Sequence, residues 1–498
     1  MKEYIKKNRF FIIVMGIYAV VSFVLICYHE SWRDEAQSWL IVRDLDLIGI
    51  IKQMKYEGHP LLWYIIIMPF AKLGFPYFTI KIVSWLITNL AVGIILKKAP
   101  FKNFIKILII FSFPMIYLYP AIARNYCLIL LAIVLIAVMY KNRKKQPIKY
   151  ILSISLLINT HVIMFGLAGM LLLVFYIEAI KEKKQKTKEE NKNILKSLIL
   201  IIILICITIA PLIGSIDTNK EITSSYKENL QIVEEFGNVI KNNYKVLFGG
   251  ELAVMAIIYT IYCIFYEIKY YKLNFIIILI SVIFQLCIYV YVYTTYAPQK
   301  SAVFLLIILL FTWIQKDNKK EVVKKELSKK EKTKKIYDYA VRMILITLMI
   351  LNYIYGYYYI FLELTEPYSS AKETGIYIYE NIEENSIITT TCMSQASSII
   401  PYQSIKEFWN VQSQKYFSFV TWDENHKKVC TKEQLIEGMN EINREKEQKI
   451  YYIYAQEEDY IEEGVVFDLE KEGKLEKIYQ SKESFLKEEM YIIYEWKD

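Results

Sequence analysis

The sequence predicts a polytopic α-helical membrane protein of about 10–12 transmembrane helices, followed by a C-terminal α/β domain on the outer side. Three observations carry this. The 498-residue chain is 55% hydrophobic with positive mean hydropathy, yet 22% of it is charged. That is too apolar for a soluble protein and too charged for a bare bundle, so a membrane part joined to a soluble part fits both. The apolar residues fall in long runs separated by lysine clusters. Beyond residue 362 the runs give way to short alternating segments.

The elements follow in order. Lys2, Lys6, Lys7 and Arg9 precede an uninterrupted apolar run from Phe10 to Tyr28. A positive flank before a ~20-residue span reads as an uncleaved helix entering from the cytoplasm. Residues 29–59 are then outside. There Ala36, Trp39, Leu40, Leu47, Ile50, Ile51 and Met54 recur at helical spacing, with charges on the other face. This predicts one amphipathic helix lying on the outer membrane surface, capped by Ser31 with Asp34 three residues on.

Apolar runs follow at 60–74, 77–96, 103–119 and 121–140. Here the positive-inside rule conflicts with itself. Lys97, Lys98, Lys102 and Lys106 claim the cytoplasm for one loop, and Arg143, Lys144, Lys145 and Lys149 claim it for another. Either one run is re-entrant or horizontal, or the second lysine cluster is outside; the 60–74 run, short and holding Pro69, or its neighbour, is the candidate. Residues 150–180 lie between two lysine-rich loops, which calls for two shortened crossings or a dip, turning near Asn159-Thr-His161. Crossings at 197–213, 251–268, 273–293, 301–315 and 337–362 complete the membrane part, with a polar outer loop at 217–250. Lys316–Lys335 holds ten lysines against four acids and reads as cytoplasmic.

The membrane domain is thus 1–362 and the soluble domain 363–498. In the latter, 386–391, 449–455, 474–479 and 490–496 read as strands and 369–382 and 431–446 as helices. The net charge of +9 is clumped in the loops and reads as a topology signal, not a nucleic-acid footprint. The seven cysteines show no CxxC pair and no zinc spacing; five lie in apolar runs, while Cys392 and Cys430 would pair only in an oxidising compartment.

The candidate chemistry gathers on the predicted outer side: Asp34, Glu35, Glu57, His59, Arg124, His161, Tyr296 and Lys300. Ionisable groups at a bilayer are costly and generally line cavities or interfaces. Each has a plainer reading. Asp34 would suit a helix N-terminus, Glu57 and His59 a cap before Pro60, Arg124 and Lys300 the headgroup layer, and His161 a turn. Asp34, Glu57 and His161 would suit a divalent cation, although no spacing requires one.

Asp34-Glu35 in the first outer loop, then Glu57-Gly-His-Pro-Leu-Leu-Trp-Tyr64, Ile122-Ala-Arg-Asn-Tyr126 and Asn159-Thr-His161, resembles the membrane glycosyltransferases of the GT-C class. The pattern is similar to the bacterial protein O-mannosyltransferase and lipid A aminoarabinose transferase type, over roughly residues 10–180. The resemblance implies a GT-C-like fold in the cell membrane. It also implies a sugar donor on a polyprenyl phosphate and an acceptor hydroxyl on a cell-surface glycan, lipid or protein. It places the general base at Asp34, with Glu35 beside it as a second catalytic carboxylate. Glu57, His59, Arg124, His161 and Lys300 become donor-binding candidates. Relatives carry Lys-Pro where this chain has Gly58-His59, which leaves the partner of the donor phosphate open. Two rivals are a lipid-linked sugar flippase and a surface-anchored binding protein whose tail does the work.

Overall fold

The computed structural model describes residues 2–213, 231–249, 254, 256, 257, 261, 272–291, 298–317, 329–422, 429–445, 448–456 and 460–497. Tyr296 and most of the crossing expected at 251–268 lie outside these residues, as do 318–328 of the lysine-rich stretch. Within the expected polar loop at 217–250, Gln231–Phe248 forms a helix.

The N-terminal helix α1 (Lys2–Tyr28) ends where its apolar run ends. The single amphipathic helix expected next is two, α2 (Arg33–Asp44) and α3 (Leu47–Glu57). Leu45 is extended, and Asp46 Oδ1 accepts from Gly49 N at 2.7 Å, which starts a new helix. Ser31 is not the cap of α2. The Trp32 N–H, which opens the helix, donates to Glu35 Oε2 at 3.2 Å, so a side chain from inside the helix satisfies an otherwise orphaned donor. α3 stops at Gly58, whose φ of +65° costs glycine little.

Helix α4 (Leu62–Lys72) has 11 residues, or ~16 Å of rise against the ~30 Å of a bilayer core. It packs on α2, and its Trp63, Tyr64 and Ile67 share a core with Trp39 and with Phe408 and Tyr491 of the C-terminal domain. With α4 left out of the crossings, the two lysine clusters fall on one side of the membrane. With α4 set aside, α5 (Thr79–Lys98) delivers Lys97 and Lys98 to the same end as the start of α1, and Lys97 Nζ lies 4.5 Å from the Phe11 ring centroid.

The next crossing is broken. α6 (Asn103–Ile110) and the segment Pro114–Ala121, a π-helical turn leading into α7 (Tyr119–Ala121), meet at 56°. Pro114 cannot donate to the preceding turn, which accounts for the kink. α8 (Tyr126–Tyr140) then runs through the centre of the bundle, packed on α5 and on α9 (Pro147–Ile158). α9, of 12 residues, is short as expected, but its partner is not: α10 (Phe165–Lys181), with the turn Val162–Met164 before it, makes 20 residues long and apolar enough to cross, and the two meet around residues 159–161. Arg143 bonds Glu178 at 2.7 Å and Lys144 bonds Glu182, so the loop after α8 and the end of α10 share the lysine-rich end. There follow α11 (Lys188–Ile209), α12 (Gln231–Phe248), α13 (Lys272–Tyr291), the short α14 (Pro298–Ser301) and α15 (Val303–Asp317).

Among the described residues five helices are long and apolar enough to cross a membrane, or six with the bent pair as one, beside shorter apolar helices such as α8 and α9. Ile13, Ile17 and Val20 of α1 and Ile199, Ile202 and Ile203 of α11 are exposed, as lipid-facing residues should be. The protein is a multi-pass α-helical membrane protein.

The last bundle helix, α16 (Lys329–Thr365), passes through the sequence boundary at 362. At Gly356 it crosses Phe113 so closely that a Cβ would lie 2.2 Å from the phenylalanine Cβ. The C-terminal domain has a six-stranded mixed sheet in the order β3-β2-β1-β4-β6-β5. Its strands are β1 (Ile387–Thr390), β2 (Phe408–Asn410), β3 (Lys415–Phe417), β4 (Ile450–Ala455), β5 (Leu475–Gln480) and β6 (Tyr491–Trp496). β1 is parallel to both neighbours, and the other pairs are antiparallel. β2 and β3, of three residues each, are too short to show alternation and went unforeseen. The helices at Ala371–Asn381 and Lys432–Glu445 match the expectation. Cys392 Sγ lies 3.4 Å from Ser394 Oγ and Cys430 Sγ 3.5 Å from the Thr431 carbonyl, so each thiol is engaged locally.

Candidate active site

At the end of the bundle opposite the lysine clusters, five separated stretches converge: 29–38, 57–64, 123–126, 159–161 and 298–301. Asp34 sits in the first turn of α2 and is half-buried. Among the described residues its carboxylate makes no hydrogen bond, while its charge acts on Arg33, Arg124 and Lys300. Arg124 is buried in the turn between α7 and α8. Its guanidinium donates to the Asp34 backbone carbonyl and to Ser38 Oγ, which fixes it against α2. Asn125 Nδ2 donates to the Thr160 carbonyl at 2.5 Å, tying the same turn to the α9–α10 turn.

His59 and His161 come from those two turns and face each other, ring centroids 4.6 Å apart, with Tyr126 stacked on His161 at 5.6 Å. Burial pushes both imidazoles well below the usual range, and the nearby Arg124 and Lys300 push the same way. Both are therefore neutral at pH 7, each with one N–H to donate. Ile163 N donates to His161 Nδ1 at 3.2 Å, so the proton of His161 sits on Nε2. Lys300 is buried on α14 and is felt electrostatically by Asp34 and by both histidines.

Glu57 stands apart from this group. Its Oε1 accepts from Gln37 Nε2 at 2.8 Å and Gln53 Nε2 at 3.1 Å, and its Oε2 from Tyr64 at 3.1 Å. Burial raises its pKa, against those three donors and Arg124. Gln37 in turn holds the Val420 backbone at both ends, at 2.7 and 2.9 Å, so Glu57 anchors the C-terminal domain to the loop. A ligand set of Asp34, Glu57 and His161 is not formed. Among the described residues no three His, Cys, Asp or Glu side chains come together as a metal site.

Glu35, expected beside Asp34 as a second catalytic carboxylate, has a different setting. It is fully buried, and both oxygens are taken: Oε1 by Ala123 N at 2.8 Å, Oε2 by Trp32 N and by His29 Nε2 at 3.0 Å. His29 Nδ1 reaches Glu363 Oε1 of α16 at 2.5 Å, and Tyr117 donates to the other oxygen of Glu363. Lys81 donates to the His29 carbonyl. From the C-terminal domain, Glu489 accepts from Arg33 N at 3.1 Å and from Ser369 Oγ at 2.5 Å. Beyond the presence of His29 in the loop, no local pattern of residues points to this network. Its partners lie as many as 456 residues apart.

Burial alone would lower the His29 pKa, but Glu363 and Glu35 outweigh it and raise it to about 9. Burial raises Glu489 to about 7, against Arg33 and Ser369. Both groups bind their proton more tightly folded than unfolded. The Glu489 contribution is therefore present below its unfolded value near 4.5 and lost as pH rises through 7. That of His29 is present below 6.5 and lost through 9. The second step is worth at most ~3 kcal/mol. Thermal unfolding in detergent is expected to show stability falling steadily from pH 6 to pH 9. His29→Gln should flatten the upper part of that profile, and a wild-type curve rising over this range would refute the assignment.

Among solved structures, the chain is similar to the crystal structure of ArnT from Cupriavidus metallidurans in the apo state, at 10% identity and a TM-score of 0.49, covering 97% of each chain. No family model matches the chain, and no curated protein matches it.

Proposed function

We propose that this protein is an integral-membrane glycosyltransferase of GT-C type, moving a sugar from a polyprenyl-phosphate donor to an acceptor hydroxyl at the outer face. One observation carries the reading. A half-buried carboxylate, two buried cations and two neutral imidazoles converge at one end of a membrane bundle, opposite its lysine clusters. By the positive-inside rule that end faces out, and the C-terminal domain packed on it is extracytoplasmic.

The chemistry divides among the residues. Asp34 takes the acceptor proton as the hydroxyl attacks the anomeric carbon, and the sugar–phosphate bond breaks with its electrons leaving on the phosphate. Arg124 and Lys300 meet that developing charge, and the imidazole N–H groups of His59 and His161 complete the anion site. Glu35 and Glu57 hold the scaffold: the first fixes α2 against the turn at Ala123, the second fixes the C-terminal domain. A flippase would carry its ionisable groups mid-membrane. Here Lys81 and Lys106 lie in the first turns of their helices.

The test uses the full-length protein in vesicles. Polyprenyl-phosphate hexose is expected to bind and to lose its sugar to an acceptor present in envelope extracts. Lys300→Ala should weaken binding of polyprenyl phosphate ~10-fold or more, the worth of one charge-assisted contact. Binding unchanged in Lys300→Ala and in Arg124→Gln would remove these residues from the donor site. No sugar transfer by the wild type from any polyprenyl-phosphate donor would sink the reading itself.

A further inference from the structure

A cavity of about 300 Å³ opens at the other end of the bundle, between the broken α6 crossing, α15 and α16. Its walls are apolar, with Ile105 and Ile109 facing Leu309 and Met343. Lys102 and Lys316 line the end nearest the lysine-rich loops. The kink at Pro114 and the close passage of Gly356 over Phe113 hold α6 and α16 together above it. None of the residues assigned to the transferase reaction lines it.

We infer that this cavity binds one acyl chain of an anionic membrane phospholipid, with the lipid phosphate between Lys102 and Lys316. The walls supply the argument for the chain. From Lys102 to Ile109 the cavity follows α6 for ~10 Å by helical rise, and Ser112, Pro114 and Met115 continue the wall past the bend, into the depth of one ~15 Å leaflet. Charge supplies the argument for the headgroup. Lys102 is exposed at the start of α6, and Lys316 Nζ lies 5.0 Å from the Phe101 ring centroid, which brings both lysines to one mouth. Basic pockets between crossings at a cytoplasmic surface suit anionic headgroups. The inference rests on the chain spanning a bilayer and not on sugar transfer.

The experiment is native mass spectrometry of the full-length protein from mild detergent, after exchange into defined lipid. Phosphatidylglycerol should be retained at least ~10-fold over phosphatidylcholine of the same chains, as two lysines near a phosphate imply. Lys102→Ala with Lys316→Ala should abolish the preference, and Lys102→Arg with Lys316→Arg should restore it. Ile109→Trp, which fills the cavity without touching charge, should lose the lipid while thermal unfolding stays cooperative. Equal retention of the two lipids would overturn the inference, as would retention unaffected by Ile109→Trp. Competition by glycerol phosphate alone would show a site for free phosphate. Displacement of phosphatidylglycerol by substoichiometric polyprenyl phosphate would show the tail slot of the donor. Either result also refutes a phospholipid site.

Discussion

Asp34→Asn is expected to cut sugar transfer by roughly 10²–10⁴-fold, the usual worth of a positioned general base, while leaving the fold intact. The amide keeps the size of the carboxylate, and among the described residues the carboxylate accepts no hydrogen bond that would be lost. Its stability cost should stay within ~0.5 kcal/mol, as for substitutions away from buried features. Donor binding should change little, because Arg124 is held by the Asp34 backbone carbonyl and Ser38, not by the Asp34 side chain. Transfer kinetics in vesicles and unfolding in detergent measure the two halves separately. Turnover at the wild-type level in Asp34→Asn would remove this residue from the mechanism.

Glu35→Ala, one residue along, is expected to do the reverse: cost ~3–5 kcal/mol of stability by breaking a buried charged pair on one side. The loss leaves His29 facing an empty space and strips the Trp32 and Ala123 N–H groups of their acceptor. Thermal unfolding is the readout, with Glu35→Gln as the milder companion because it retains an acceptor oxygen. Should Glu35→Ala unfold like the wild type yet lose all transfer, the two carboxylates exchange roles and the proposed mechanism is wrong. The same logic bears on the C-terminal domain. Its removal would expose the core that Trp39 and Trp63 share with Phe408 and Tyr491. A truncated chain therefore reports on folding and not on substrate binding.

The amino-acid sequence by itself determined the crossings with long apolar runs, the four longer strands of the C-terminal sheet, and the grouping of ionisable residues toward one side. These depend on local composition and period, which a chain states directly. It also located the turn at Asn159-Thr-His161, because lysine clusters on both sides call for two helices between them, although only α9 of the two is short. Other features needed the third dimension. Which core α4 joins depends on what covers it, and only the tertiary structure put its Trp63, Tyr64 and Ile67 in one core with Trp39 and with Phe408 and Tyr491 of the C-terminal sheet. Asp34 and Glu35 are adjacent acids with the same apparent prospects. Helical geometry turns one toward Arg124 and Lys300 and the other inward to His29, Trp32 and Ala123. Partners as distant as Glu363 and Glu489 leave no mark on local periodicity, since a hydrogen bond between remote residues constrains two side chains and nothing between them.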